Sequence, residues 1–347
     1  MDPCTQGLIG ATFSSLFSNK KDIRKASLCG AIGGLAPDLD IFIRSENDQL
    51  LFIEYHRHFT HSLFFAPIGS IFVSLIIFTC FYKLRMSLRF IYLFTLIGFL
   101  SHGLLDSLTS YGTSLFWPLS QSRVSLNLIS IVDPIFTFTL VFLLIFSLLK
   151  KSTSLIRSSI LFSFFYIFLC YQKHLQVKDF IFEISERRGH NIERLIIKPT
   201  IGNIILWRSV YRTNNKYYVD AVYAPFFDEP KFKSGAILNA IDKESVFPEL
   251  KSNSIQREDI RRFSFFSNDF IYIHPLNRFL IGDLRYGFLP YDDKSLWGIE
   301  INTNTPEIHV DFKNLRDFNE KFYKEYWNML SGNYQYQSLE NYKYEHR

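Results

Sequence analysis

The first half of the chain carries three clusters of histidine and aspartate in otherwise apolar surroundings. They are Pro37-Asp38-Leu39-Asp40, His56-Arg57-His58-Phe59-Thr60-His61-Ser62 and Ser101-His102-Gly103-Leu104-Leu105-Asp106. In the third, His102 and Asp106 stand four residues apart near the end of an apolar run, so on a helix both project from one face. Ionisable groups at membrane depth are costly and usually functional. An imidazole and a carboxylate on one face form half of a Zn²⁺, Mn²⁺ or Fe²⁺ site. The plainer alternative is a His-Asp hydrogen bond that only stiffens helix packing. The second cluster places His56, His58 and His61 close together, more imidazoles than packing requires, since each needs hydrogen-bond partners when buried. Asp38 and Asp40 alone would suit a helix cap or a solvated turn. Beside the other two clusters they read as part of a metal-binding set.

Downstream, Thr109-Ser110-Tyr111-Gly112-Thr113 leads to Phe116-Trp117-Pro118, Arg123 and Asp133-Pro134. Trp117 is accounted for by the aromatic belt of a membrane interface. Arg123 near a proposed cation calls for an anion, and a substrate phosphate or carboxylate fits a guanidinium. Pairing with Asp133 or a lipid phosphate is the alternative.

The elements that must position these residues are helices in a bilayer. The chain of 347 residues is 48% hydrophobic, too apolar for an ordinary soluble domain, and residues 63–172 hold most of the uncharged runs. A span needs about 20 apolar residues. Four segments approach that length: 63–82, 90–107, 128–149 and 155–171. Two shorter Gly- and Ala-rich stretches, 7–17 and 26–36, predict short helices packed closely against the others. The net charge of +5 does not indicate nucleic acid, because the bases of the first half cluster beside apolar runs. Lys20, Lys21, Arg24 and Lys25 form one group, Lys83, Arg85 and Arg89 a second, and Lys150, Lys151 and Arg157 a third. The positive-inside rule places all three in the cytoplasm. The His/Asp clusters and everything after about residue 172 then fall on the opposite side. The N-terminus lacks the basic region and cleavage site of a signal peptide. Cys4, Cys29, Cys80 and Cys170 are too scattered for a disulfide framework and read as buried small hydrophobes.

Residues 173–347 are more polar, with short aromatic and β-branched runs such as 192–200, 202–212 and 278–290 broken by turns such as Thr213-Asn214-Asn215. This pattern predicts antiparallel β-structure, closed by a helix over 313–331. The expected fold is therefore mixed: a helical membrane domain, 1–172, with four long spans and two short N-terminal helices, followed by an extracytoplasmic β-rich soluble domain, 173–347.

Together the motifs resemble the YdjM-like inner-membrane metal-dependent hydrolases. The matching residues are Met1-Asp2 with Thr5-Gln6, Gly33-Gly34 before Pro37-Asp38-Leu39-Asp40, His56-Arg57 with Thr60-His61-Ser62, and His102 with Leu105-Asp106. Thr109, Tyr111-Gly112-Thr113, Phe116-Trp117-Pro118, Arg123 and Asp133-Pro134 extend the likeness, and 206–208 and 283–287 look like more of the same pattern. His58 departs from it, standing where the family carries a small residue, and is left out of the ligand set. The resemblance implies a multi-pass protein of the cytoplasmic membrane with a metal-dependent hydrolytic activity and no assigned substrate. The expected ligands of one or two cations, Zn²⁺ or else Mn²⁺ or Fe²⁺, are Asp38, His56, His61, His102 and Asp106. Asp40 is the candidate general base, and Arg57 and Arg123 are candidates to hold an anionic group. Membrane lipids are the expected surroundings, and a phosphoester or lipid-linked substrate fits a site at the membrane surface. The HxxxD pair after a Pro-Asp is also distantly similar to zinc-dependent phospholipase C and P1-type nucleases, a likeness that transfers no substrate. A structural metal with a partner-binding outer domain is the non-enzymatic alternative. A transporter fits less well, because the polar residues gather at one end of the helices and not at the midplane.

Overall fold

A computed structural model describes residues 1–340 and 342. The chain divides into two compact units. The first comprises Met1–Ile43, Tyr55–Gln172 and Ile201–Asn203; the second comprises Arg44–Glu54, Lys173–Thr200 and the described residues from Ile204 onward.

The first unit is helical. Its main elements are α1 (Pro3–Leu16), α2 (Ile23–Leu35), α4 (Ala66–Cys80), α5 (Leu88–Ser107), α6 (Pro134–Lys150) and the first half of α7 (Thr153–Arg187). The short α3 (Leu51–Tyr55), between α2 and α4 in sequence, belongs up to Glu54 to the second unit. The basic groups of the sequence fall at the connections α1–α2, α4–α5 and α6–α7. The His/Asp clusters lie at the other ends of the same helices. Proline and side-chain caps set several starts. Asp2 accepts from Thr5 N at the head of α1, Ser87 from Phe90 N at the head of α5, and Asp133 from Phe136 N at the head of α6, with proline in the first turn of α1, α4 and α6.

Helices α1, α2 and α5 form the tight centre. A Cβ at Gly98 would lie 2.1 Å from the Gly30 carbonyl oxygen, so only glycine allows α5 to approach α2 this closely. Ser14 Oγ on α1 donates to the Phe94 carbonyl of α5 at 2.8 Å. The outer surface is the reverse of a soluble protein's. Phe72 on α4, Phe138 on α6 and Leu161 on α7 are 63, 71 and 72% exposed, while Gln6, Thr12, Ser14 and Thr95 are buried. Such an apolar belt requires lipid around it.

Four long spans are not observed. Among the described residues two helices, Leu88–Ser107 and Thr153–Arg187, are long and apolar enough to cross a membrane. A third span is reached only if Leu51–His61 and Ala66–Cys80, bent by 89°, count as one. The 128–149 run is cut to 17 residues because Asp133 and Pro134 start the helix late. The 63–82 run yields a helix of 15 residues behind the 3-10 turn Phe59–His61. The 155–171 segment instead extends into a helix of 35 residues. Cys29 and Cys170 are buried as expected, whereas Cys4 and Cys80 are exposed; all four are free.

Beyond residue 172, α7 becomes amphipathic. Val177, Phe180, Ile181 and Ile184 recur at helical spacing and pack with Ile197, Trp207, Tyr211, Val222 and Phe232 as the core of the second unit. Strands β1 (Arg194–Pro199), β2 (Leu206–Thr213), β3 (Lys216–Tyr223) and β4 (Lys231–Asn239) form one antiparallel meander. Strands β5 (Ile271–Ile273), β6 (Leu280–Asp283), β7 (Trp297–Glu300) and β8 (Asp311–Asn314) form another. The β2–β3 hairpin turns through Asn214 and Asn215 with φ of 48° and 60°, the left-handed pair that a two-residue hairpin needs. Helix α8 (Ile255–Phe266) was not expected from the sequence. Helix α9 (Glu320–Leu330) is shorter than the expected 313–331, because residues 313 and 314 belong to β8.

The motifs at 206–208 and 283–287 lie within this second unit. The buried guanidinium of Arg208 donates to the carbonyls of Leu284 at 3.0 Å, Leu289 at 3.1 Å and Asp292 at 3.1 Å. Asp283 pairs with Arg285 at 2.7 Å and accepts from Trp297 Nε1.

Replacing Gly98 by alanine forces α5 away from the Gly30 carbonyl. The expected loss is about 1–3 kcal/mol, the usual cost of overpacking. It would be read as a lower thermal unfolding midpoint in detergent, with Phe72→Leu on the outward face leaving the midpoint unchanged.

Candidate metal centre

Three elements bring the clusters together inside the helical unit. The 3-10 turn Ala36–Phe42 prolongs α2 and carries Asp38 and Asp40. The turn Phe59–His61 ends in His61. The last turns of α5 carry His102 and Asp106. Gly103 lets the second approach the third, since a Cβ there would stand 2.3 Å from the His61 carbonyl oxygen.

The Nε2 atoms of His61 and His102 face each other at 2.9 Å. Asp38 Oδ1 is 3.4 Å from each of them, and Asp106 Oδ2 lies 3.3 Å from His61 Nε2 and 3.6 Å from His102 Nε2. These four residues offer donor atoms all within 4.8 Å of one another. The side chains of His61, His102 and Asp106 are fully buried, and only Asp38, at 20%, is open to the exterior.

The remaining ring nitrogens are held by acceptors. His102 Nδ1 lies 2.6 Å from the Gly34 carbonyl oxygen, and His61 Nδ1 lies 3.2 Å from Asp40 Oδ2. A carbonyl oxygen can only accept, so His102 Nδ1 carries a proton. The two facing Nε2 atoms, 2.9 Å apart and flanked by two carboxylates, are placed to share a proton or to hold a cation. Asp106 Oδ2 adds a buried oxygen with no hydrogen-bond donor, although Arg57 Nε stands 3.0 Å away as an ion pair. The donor set of two imidazoles and two carboxylates is one that could hold a metal ion. The carbonyl and carboxylate behind the rings are what metal-ligating histidines ordinarily need.

Burial alone would raise the Asp38 carboxyl, but hydrogen bonds with His102 and His61 more than offset it and hold the group well below the usual carboxylate range. Asp40 is likewise held low against its burial by His56 and His61. Both are carboxylates at neutral pH.

Asp40 is the hub of the surrounding shell. Its Oδ1 meets His56 Nδ1 at 2.8 Å, and its Oδ2 accepts from Arg57 N at 2.9 Å and Thr60 Oγ1 at 2.7 Å. Asp38, Asp40 and His56 form a second group close enough to share a cation, though the direct His56–Asp40 bond occupies two of its donors. Arg57, with φ of 63°, is buried and directs Nη1 to Thr109 Oγ1 at 2.8 Å. Arg123 donates to the carbonyls of His56 at 3.1 Å and Gly112 at 2.9 Å. Both guanidinium groups lie over the Tyr111 ring, at 5.0 and 5.6 Å. Arg123 does not pair with Asp133, whose carboxylate caps α6 and accepts from Tyr166 Oη at 2.7 Å. His58 is in neither donor group; its ring packs against Tyr55, Phe59 and Trp117.

Sequence reasoning assigned no role to four supporting residues. Gln6 Nε2 donates to Asp106 Oδ1 at 2.7 Å, where the amino group of Met1 also binds. Gly34 supplies the carbonyl behind His102, Thr60 braces Asp40, and Thr109 braces Arg57. All four lie in the motifs of the family resemblance, which was the available signal.

Over 190 residues the chain is 30% identical to the uncharacterized protein YfhP of Bacillus subtilis strain 168, covering 54% of this chain and 55% of that relative. The chain thus spans about half the length of the curated relative it matches. No solved structure matches it. The family model for YdjM inner membrane protein matches residues 1–177, which takes in every residue of the candidate centre and stops short of the motifs at 206–208 and 283–287. The chain belongs to the YdjM family of inner membrane proteins.

Proposed function

We propose that the protein is a metal-dependent hydrolase of the cytoplasmic membrane, with Asp38, His61, His102 and Asp106 as ligands of a divalent cation. The observation that carries this reading is the facing pair of imidazole Nε2 atoms, 2.9 Å apart and buried among carboxylates, with the His102 Nδ1 committed to a carbonyl. A cation there would supply Lewis acidity and bring the pKa of a bound water toward ~7. Asp38, the one partly open ligand, marks the side from which a substrate enters. Asp40 fixes His56 and His61 and stands as the candidate base for a water on that side. Arg123 holds the carbonyls of His56 and Gly112, and its positive charge near the opening suits a phosphoester, including one carried on a lipid.

One feature favours a second reading, a structural metal. Four protein donors converge, enough to close a tetrahedral shell, whereas catalytic sites keep a position open. Hydrolysis requires either a site that expands or an Asp38 that yields its place.

Metal content distinguishes ligands from neighbours. Zn²⁺, Mn²⁺ or Fe²⁺ measured by mass spectrometry in detergent-purified protein should be lost from His102→Ala and from Asp106→Ala and retained in His58→Ala. Equal content in all of them would end the metal reading.

Arg123→Lys separates enzyme from structural site. Lysine keeps the charge but cannot hold both carbonyls and an anion as a planar fork does. Turnover of a phosphodiester or phospholipid panel should fall about tenfold, the equivalent of one charge-assisted hydrogen bond, with metal content unchanged. Absence of metal-dependent release from the wild type, with early melting of the variant, would favour the structural metal.

The orientation follows from the basic connections at 20–25, 83–89 and 150–157, with the site and outer domain on the far side. A cysteine at exposed Ser252, in a background without native cysteines, should react with an impermeant reagent in cells whose inner membrane is intact. Protection until that membrane is broken would reverse the orientation.

A further inference from the structure

Asp38 is shared by two groups of donors within the helical unit. Its Oδ1 stands 3.4 Å from the Nε2 atoms of both His61 and His102. It also belongs with Asp40 and His56 to a second set, in which one donor atom from each residue lies within 4.8 Å of the others. Ligands bound at about 2.0–2.2 Å to one ion stand roughly 3.0–3.4 Å from each other. The 2.8 Å between His56 Nδ1 and Asp40 Oδ1 is close to that spacing, so this pair is placed either to share a proton or to bind one ion. Charge points the same way. Arg57 compensates Asp106, but among the described residues no lysine or arginine side chain forms an ion pair with Asp38 or Asp40. Their ionic neighbours are imidazoles, which are themselves ligands. Asp40 is moreover held as ligating carboxylates ordinarily are. Its Oδ2 accepts from Arg57 N at 2.9 Å and Thr60 Oγ1 at 2.7 Å, which turns Oδ1 to His56. In the second unit Asp48, Asp259 and His309 form a further group, but there Arg262 reaches both carboxylates, at 3.0 and 2.8 Å, and supplies the positive charge.

We infer that the centre takes two divalent cations, with Asp38 as the carboxylate that bridges them. His61, His102 and Asp106 complete the first site; Asp40 and His56 complete the second. This rests on the metal reading proposed above for the first group. A carboxylate has two oxygens, and two ions joined in one site stand about 3.5–4 Å apart, as in phosphatases and nucleases. Filling the second site displaces the proton between His56 and Asp40 to solvent. Asp40 is then a ligand, and serves as a base only where the second ion is missing. The first group has four protein donors and can close a tetrahedral shell, whereas the three of the second leave positions for water or an anion. The second site is therefore the one that meets substrate. It lies where the centre is partly open, with the side chains of Asp38 and His56 20 and 16% exposed.

The test counts Zn²⁺ and Mn²⁺, each in turn, bound to full-length protein that has been stripped of metal in detergent. Equilibrium dialysis with mass spectrometry gives the number, and electron paramagnetic resonance reads the bound Mn²⁺. Two equivalents per chain are expected in the wild type, with the Mn²⁺ spectrum of an exchange-coupled pair, because ions joined through one carboxylate interact magnetically. His56→Ala and Asp40→Asn should each keep one equivalent and show an isolated ion. His58→Ala, outside both groups, should keep two. One equivalent in the wild type overturns the inference. So do two bound Mn²⁺ ions without coupling, and so does retention of both equivalents by His56→Ala and Asp40→Asn. The wild-type count and spectrum decide even where a variant fails to fold. Binding of neither Zn²⁺ nor Mn²⁺ by the wild type would instead sink the metal reading itself, so the two failures are distinguishable.

Discussion

Burying Asp38, His61, His102 and Asp106 around one point, at the end of an apolar helix bundle, creates an electrostatic constraint that the rest of the first unit serves. Charges removed from water must be paired at close range, because the surrounding medium screens them poorly. Arg57 and the Met1 amino group supply part of the compensation at Asp106. The two inward imidazole nitrogens face each other at 2.9 Å beside the same carboxylates. The geometry of the bundle follows from bringing these groups together and from holding each of their other faces with a defined partner.

That demand explains the inverted character of the helical unit. Its interior is rich in glycine, serine and threonine, which let α1, α2 and α5 approach closely enough to carry the candidate donors and their supports to one end. Its exterior carries the large apolar side chains. In lipid the exterior gains nothing by packing on itself, so cohesion rests on close van der Waals contact and on hydrogen bonds such as Ser14 to the Phe94 carbonyl. The same glycines that weaken an isolated helix are here the condition for its packing.

The second unit reaches stability by ordinary means. Two antiparallel meanders and the amphipathic half of α7 enclose an aromatic core, and the buried Arg208 is satisfied by carbonyl oxygens. The segment 44–54, from the middle of the site-bearing sequence, packs within this unit.

The sequence by itself determined the donor types of the candidate centre and part of their arrangement. His102 and Asp106 had to share a helix face because helical periodicity leaves no other choice, and the chain's apolar runs, basic clusters and aromatic β-branched segments required a helical region before a β-rich one. Three things were decided only in three dimensions. Span number fell from four because Asp133-Pro134 and the turn at 59–61 fix helix starts that hydropathy cannot see, while α7 ran on because its periodicity changed from apolar to amphipathic without a break. Arg57 and Arg123, legible as cations near a site, turned inward to Asp106 and to backbone carbonyls, since a buried guanidinium takes the nearest acceptors. The facing of His61 and His102, and the pairing of Glu54 with Arg262, join positions 41 and more than 200 residues apart. No local pattern encodes such pairs, because they depend on how whole elements pack.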